Sequence, residues 1–478
     1  MHTLEKPLIL DTTLREGLQT PKVYFTLDER ITILQELDNA GIDFIEIGSP
    51  YASEGEKKLV EELSKIKTRA FKVVHCRALE SDVDTAPENV EWVALYLSPA
   101  DRHLEAKFDK IEDKRGFVLK QVPRAISYAK SKGYKVRYTA EDAFRADPVF
   151  LKKVVIKAVE AGADSVSLPD TSGGASLTDV RRVYGEVISF LREAGAKCVI
   201  EAHFHNDMGM ALANTLEAWM SGARILHGTI NALGERAGIP DTLVLATWMK
   251  VKFGYDDYDL GRLIKLAEYV SKVSGIEIPP NQPISGSNVF THTAGTHQKA
   301  VFRDPLTYQP FDASLVGRES SFALGPMVGS EGVKASLKKM GVEISMLGEE
   351  VFEEIRDRIK SAYLLHGRGA SAMENIIIAE VLNKTGMTKI NIPESLSAQI
   401  LIDVESMGDK YFEDFCREII AKNKGVTEII EIWGSSFDYI VRVEEVPSLK
   451  ELDAIVNNFR KVRGVLRTET LITGKKIK

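Results

Sequence analysis

The sequence predicts a (β/α)8 TIM barrel of mixed α/β class, followed by C-terminal subdomains and a terminal ferredoxin-like domain. Three observations carry the barrel. Short apolar runs rich in Val, Ile and Leu recur eight times through the first half of the chain, segments of helical periodicity separate most of them, and polar side chains collect where the runs end. Strands of a parallel barrel are buried on both faces and so read as nearly unbroken apolar runs. Strand–helix alternation repeated eight times closes such a barrel, and its C-terminal rim is where sites form.

The runs are PLILDTT (from Pro7), FIEIGS (Phe44), KVVHC (Lys72), WVALYL (Trp92), KVRYTAED (Lys135), SVSLPDT (Ser165), VIEAHFHND (Val199) and ILHGTIN (Ile225). Between them TLDERITILQELDNAGI, PVFLKKVVIKAVEAGA and LTDVRRVYGEVISFLREAGA place apolar residues at helical spacing and end in a glycine suited to a helix C-cap. Arg15, Glu16, His75, Glu141, Asp170, His205 and Glu235 stand at or just beyond the C-terminal ends of the runs. Burying one such end is costly without a partner, and many converging on one rim make a site.

After Gly275 the pattern changes. The expected division is a catalytic barrel over 1–275, a Pro- and Gly-rich subdomain over 276–330, a helical subdomain over 331–396 and a ferredoxin-like domain over 397–478. The last reads SAQILIDVES, a helix DKYFEDFCREIIAKNKGV, TEIIEIWG, DYIVRVEEV, a helix SLKELDAIVNNFRKVRGV and LRTETLITG, the βαββαβ order of a split unit.

Composition excludes several classes. The three cysteines Cys76, Cys198 and Cys416 lie far apart in no CxxC arrangement, which argues against a disulfide framework or a thiolate zinc site. Against 69 acidic residues the 62 basic ones leave a charge of −7 with no basic stripe, so no nucleic-acid partner is expected. No apolar run reaches the roughly 20 residues that cross a bilayer. The start MHTLEKPLIL has neither a basic segment nor a long apolar one, so the expected location is the cytoplasm.

Two constellations carry chemistry. In a strand, residues two apart share a face, so His203 and His205 of HFHND aim together at the barrel interior while Phe204 packs outward. Two imidazoles and a carboxylate make a divalent-metal site with open coordination positions. The turn DTTLREG at the end of the first strand offers that carboxylate in Glu16, with Arg15 beside it and Gly17 expected to allow a sharp turn. The donor set suits Mg, Mn, Zn or Co.

DTTLREG, the HFHND strand, the GERAG loop, and THTAGTHQKAV followed by DPLTY together resemble the homocitrate synthase and isopropylmalate synthase family of metal-dependent Claisen-condensing enzymes, over residues 7 to 320. The closing unit separately resembles the effector domain of leucine-responsive-type transcription regulators. The first resemblance implies that Glu16, His203 and His205 ligate the metal, that Arg15 stabilises charge developing on oxygen, and that Thr171 holds the 1-carboxylate of a 2-oxo acid. It assigns to His297 the proton abstraction from acetyl-CoA, and matches Glu141 and Tyr308 to the other catalytic positions. In the family the histidine–tyrosine segment reaches a neighbouring subunit, which implies a homodimer or larger homo-oligomer.

The loop Gly228–Pro240, GTINALGERAGIP, bears on the substrate. Isopropylmalate-type members usually read GERAGNA there, homocitrate-type members GERxGI, and this chain has Ile239. Its Glu235 and Arg236 are expected to brace the strand end as a salt bridge. Glu16 in place of Asp and Lys299 in place of the HQDG aspartate lean the same way. His75, Arg137 and Thr139 occupy positions that face the far end of the substrate in homocitrate synthases, although Ser is commoner at the last. A cationic patch there would pair with a second carboxylate, which implies 2-oxoglutarate. Because homocitrate formation opens one route to lysine, the resemblance of the closing unit to an effector domain makes lysine the candidate effector. Isopropylmalate, citramalate and citrate-forming relatives are the alternatives, and an amino-acid sensor without catalysis is a distant one.

Overall fold

The computed structural model describes residues 5–386, 396–404, 414, 416–417, 425–432, 437–462 and 465–473. The chain folds as two compact units, Met1–Val289 with Ala313–Arg318, and Phe290–Asp312 with Glu319–Lys478.

In the first unit eight parallel strands close a barrel: β1 (Leu8–Asp11), β2 (Phe44–Gly48), β3 (Phe71–Arg77), β4 (Trp92–Tyr96), β5 (Lys135–Thr139), β6 (Ser165–Asp170), β7 (Val199–Phe204) and β8 (Ile225–Gly228). Closure is made by β1 against β8, in the register Leu8 to Ile225 through Asp11 to Gly228. All eight apolar runs form strands. Low in the barrel Leu10, Phe44, Val73, Ala94 and Ile225 pack into one buried cluster against Leu8 and Trp92. This floor leaves the opposite, C-terminal ends of the strands free to carry polar groups.

The connecting helices begin where local chemistry predicts. Thr26 and Glu29 form a reciprocal capping box at helix Leu27–Asn39, and Ser176 with Asp179 does the same at Leu177–Glu193. Asp147 caps Pro148–Glu160, with the proline at the first helical position where its missing N–H costs nothing. The β3–β4 connection departs from the alternation, carrying only the single turn Glu80–Val83. The segment Ala313–Arg318 belongs to this unit, and the Arg318 guanidinium donates to the carbonyls of Ile284, Ser285 and Gly286 at 3.2, 2.9 and 2.7 Å.

The second unit contains the parallel pair β9 (Thr291–His292) and β10 (Ser321–Phe322), then helices Ser330–Lys339, Glu349–His366 and Glu374–Lys384 around a core that includes Leu337, Phe352, Ile359 and Ile378. Its last part is a four-stranded antiparallel sheet ordered β12–β13–β11–β14, from β11 (Leu396–Val404), β12 (Val426–Glu431), β13 (Tyr439–Val446) and β14 (Val465–Thr473). That order, with helix Leu449–Arg460 burying Leu452, Ile455, Val456 and Phe459 in the sheet's core cluster, is ferredoxin-like. The helix expected over DKYFEDFCREIIAKNKGV falls almost wholly outside the described residues.

Candidate active site at the barrel rim

The turn after β1 lifts Arg15 and Glu16 onto the rim. Thr12 N–H donates to the Gly228 carbonyl at 2.8 Å, continuing the β1–β8 pairing, and the amides of Arg15 and Glu16 donate back to the Thr12 carbonyl at 3.0 and 2.7 Å. Glu16 is itself helical (φ −68°, ψ −41°), and Gly17 takes no left-handed conformation. Ordinary helical geometry makes this turn, not the glycine freedom expected from the sequence.

The last residue of β7 is Phe204, which is buried against Phe144 and Tyr184, while the rings of His203 and His205 stand 5.2 Å apart on the inner side. Donor atoms of Glu16, His203 and His205 all lie within 4.8 Å of one another, and all three residues are buried. Two ligands of one ion, each at about 2.1 Å, are at most about 4 Å apart, so a small contraction would complete a shared site. Burial, with the neighbouring rings His205 and His227, holds His203 well below its ordinary pKa; burial likewise lowers His205. Both are then neutral, the state that ligates a metal. His205 Nδ1 is buried with no partner, and Glu16 Oε1 is 4.0 Å from His205 Nε2, beyond hydrogen-bond reach. A carboxylate and two neutral imidazoles held together with an unsatisfied ring nitrogen fit a divalent cation.

Beneath this triad lies a polar network that sequence reasoning missed. Glu46, in the middle of β2, accepts from Thr12 Oγ1 at 2.5 Å, Arg15 Nε at 2.6 Å and Arg137 at 2.5 Å, and is fully buried. Burial alone would push its carboxyl up, but the Arg15 and Arg137 guanidiniums hold it well below the usual range. Glu201, in β7, faces Arg137 at 3.5 Å, His227 Nε2 at 2.7 Å and the Ser165 hydroxyl. The signal was present as an acid inside each of the apolar runs FIEIG and VIEAHF.

The expected residues Arg15, Glu16, His75, Arg137, Thr139, Glu141, Thr171, His203 and His205 all line one cavity of about 280 Å³. At its far wall His75 stacks on Tyr96 with centroids 4.8 Å apart, and the Tyr96 hydroxyl bonds Tyr51 at 2.8 Å. Burial and the nearby Arg15 hold His75 well below its ordinary pKa. The anticipated cationic patch is therefore narrower than the sequence implied: His75 is neutral and two nitrogens of Arg137 already face carboxylates. Still unpartnered there are Arg137 Nε, Thr139 Oγ1 and Ser167 Oγ, with Thr139 and Ser167 paired in the β5–β6 register. Thr171 Oγ1 accepts from the Asp142 amide at 2.9 Å. Glu141 is clasped by Lys107 Nζ at 2.8 Å to each oxygen. His297 and Tyr308 belong to the second unit, where their rings stack at 4.0 Å and both are exposed.

The loop after β8 supports the triad. The Glu235 amide donates to Glu16 Oε1 at 3.1 Å. A side chain at Gly234 would stand 3.2 Å from Glu16 Cγ, and Gly238, at φ +75°, would drive a Cβ into the Ala232 carbonyl. Arg236 bonds Asp207 at 2.8 and 3.0 Å and the Thr171 carbonyl at 2.7 Å. The expected Glu235–Arg236 brace is thus replaced by Arg236–Asp207, because Arg236 takes the left-handed conformation (φ 56°). That costs a non-glycine residue about 1–3 kcal/mol.

Residues 6–270 match the HMGL-like family, 284–363 the homocitrate synthase post-HMGL domain-like family and 397–478 the Lrp/AsnC ligand binding domain. The chain is 36% identical to a homocitrate synthase of Sulfolobus acidocaldarius, over 98% of this chain and 97% of that protein, and 37% identical to one of Sulfurisphaera tokodaii, over 98% and 99%. The barrel fold is shared with the HMG-CoA lyase of Bacillus subtilis, at a TM-score of 0.51 and 19% identity over 58% of this chain and 97% of that one. The family implies a divalent metal and an acetyl-CoA substrate. With that rim geometry and similarity along its whole length, the chain belongs to the HMGL-like family of (β/α)8 enzymes, in the branch of the homocitrate synthases.

Proposed function

We propose that this enzyme condenses acetyl-CoA with 2-oxoglutarate and hydrolyses the thioester, releasing homocitrate and CoA. The observation that carries the reading is the convergence of Glu16, His203 and His205 beside Arg15, in a cavity whose far wall keeps Arg137 Nε, Thr139 and Ser167 unpartnered. Glu16, His203 and His205 would hold the cation, one of Mg, Mn, Zn or Co. When bound it supplies Lewis-acid polarisation of a ketone.

The chain's own groups do the rest. Thr171 positions the 1-carboxylate, and Arg15 donates to oxygen as negative charge gathers there. Arg137 and Thr139 receive the distal carboxylate, with His75 shaping the wall. His297, supplied across a homodimer and oriented by Tyr308, takes a proton from the acetyl methyl. The new carbon–carbon bond joins that methyl carbon to the keto carbon, whose oxygen gains a proton to become a hydroxyl; Glu141 serves proton transfer at this centre. Water then displaces the thiolate of CoA.

The expected rank of kcat/KM, measured as release of free CoA thiol, is 2-oxoglutarate above oxaloacetate, pyruvate and 2-oxoisovalerate. Leaving buried donors unpaired is expected to cost the branched acid a factor of about 10² or more; preference for 2-oxoisovalerate would reject the substrate assignment. The cytoplasm is the proposed location, and among the described residues no helix is long and apolar enough to cross a membrane. We assign residues 397–478 to binding an effector, L-lysine. Millimolar lysine should inhibit the full chain, and a chain cut before 397 that stays active should lose that inhibition; retained inhibition would place the effector elsewhere.

A further inference from the structure

We infer that Glu201, His227 and His203 form a one-way hydrogen-bond relay that fixes the tautomer of His203, keeping its Nδ1 protonated and leaving the lone pair of Nε2 for the cation. This rests on the reading of Glu16, His203 and His205 as the cation site, and it makes His227 and Glu201 positioning residues.

The polarity follows from donors and acceptors. Glu201 takes the Ser165 hydroxyl on Oε1, while Oε2 faces Arg137 at 3.5 Å and His227 Nε2 at 2.7 Å. A carboxylate ringed by donors only accepts, so His227 Nε2 carries a hydrogen. In a neutral imidazole the other nitrogen is then a lone-pair acceptor. His227 Nδ1 lies 3.2 Å from His203 Nδ1, and two ring nitrogens at that distance share one hydrogen, which only His203 can supply. His203 Nε2 is left as the free base. All three side chains are buried.

The strands enforce the arrangement. Glu201 and His203 are two apart in β7 and share its inner face, while His227 comes from the neighbouring β8, where Glu201 pairs with Ile225 in register. A reversed relay, with His227 donating from Nδ1, would move the hydrogen of His203 onto Nε2 and remove the ligand. A metal-bound histidine generally donates its other N–H to a partner that fixes the ring, and loss of such a partner weakens metal binding about 10–100-fold. Here the partner is a second histidine, itself oriented by a carboxylate.

The test is titration of metal-free, full-length protein with Co(II), followed by visible absorption and calorimetry. Wild type should bind one Co(II). His227→Phe should bind about 10–100-fold more weakly, with an altered d–d spectrum, while its Tm without metal shows the fold retained. His227→Gln, whose amide donates to Glu201 and whose carbonyl accepts from His203, should recover most of the affinity and the wild-type spectrum. If His227→Phe does not fold, Glu201→Leu serves instead, and is expected to weaken Co(II) binding because it removes the acceptor that keeps the hydrogen on His227 Nε2. Wild-type affinity and spectrum in His227→Phe, or in Glu201→Leu in its stead, would overturn the relay. So would a His227→Gln protein as weak as His227→Phe. A wild-type protein that takes up no Co(II) overturns the cation site itself, a failure distinct from that of the relay.

Discussion

Glu16→Ala is expected to abolish tight divalent-metal binding and turnover together. Glu16 is the only carboxylate grouped with His203 and His205 among the described residues, and it is held there by the Glu235 amide and by Arg15. Removing it leaves two neutral imidazoles, a set too weak to retain the ion at ordinary concentrations. Lewis-acid stabilisation supplies several kcal/mol, so kcat should fall about 10³-fold or more. Calorimetry of metal binding and thiol release on the same preparation check it. The fold should survive, since the carboxylate sits on the rim above the barrel's apolar floor. A variant that keeps the metal while losing activity would mean that Glu16 acts directly on substrate.

Glu46→Ala should produce the second large effect, on stability and catalysis at once. Glu46 neutralises two buried guanidiniums, with Arg15 and Arg137 each about a tenth exposed or less. Deleting it leaves Arg137 only the 3.5 Å contact to Glu201 and Arg15 only Glu16, and breaking a buried ionic network in this way costs about 3–5 kcal/mol. For a barrel of this size the Tm should fall by about 10 °C. The same change releases Arg15 Nε, and with the role proposed for Arg15 at the substrate oxygen kcat/KM should drop about 10²-fold. Calorimetric melting and steady-state kinetics report the two effects. The network also sets a pH dependence. Because the folded-state pKa of Glu46 lies well below its value in the unfolded chain, its stabilisation is fully present above the ordinary carboxylate pKa of 4.5 and is lost as the pH falls toward the folded-state value. Wild type should therefore lose Tm steeply in acid, and Glu46→Ala should lose less over the same interval.

Much of this was legible in the sequence, for physical reasons. The eight strands announced themselves because both faces of a parallel barrel strand are covered, so FIEIG and WVALY read as apolar runs without polar alternation. HFHND was legible because a period of two puts two imidazoles on one face at a strand end. Glu46 and Glu201 were harder: each is one charge inside an apolar run, and only the closed barrel reveals that Arg137, on β5, stands between them. Arg236 misled because its sequence neighbour is an acid. Its positive φ sends the side chain toward Asp207 instead. The distal wall was legible in residue type but not in charge, since a neutral His75 and an Arg137 already facing two carboxylates follow from burial and neighbours that no spacing encodes.

The cation site is tested most directly by the position of a bound metal, located by anomalous scattering at the absorption edge of Mn or Zn in crystals soaked with that ion. One strong peak is expected within about 2.0–2.2 Å of a Glu16 oxygen and of one nitrogen from each of His203 and His205. A well-occupied peak elsewhere, with those three side chains unliganded, would contradict it.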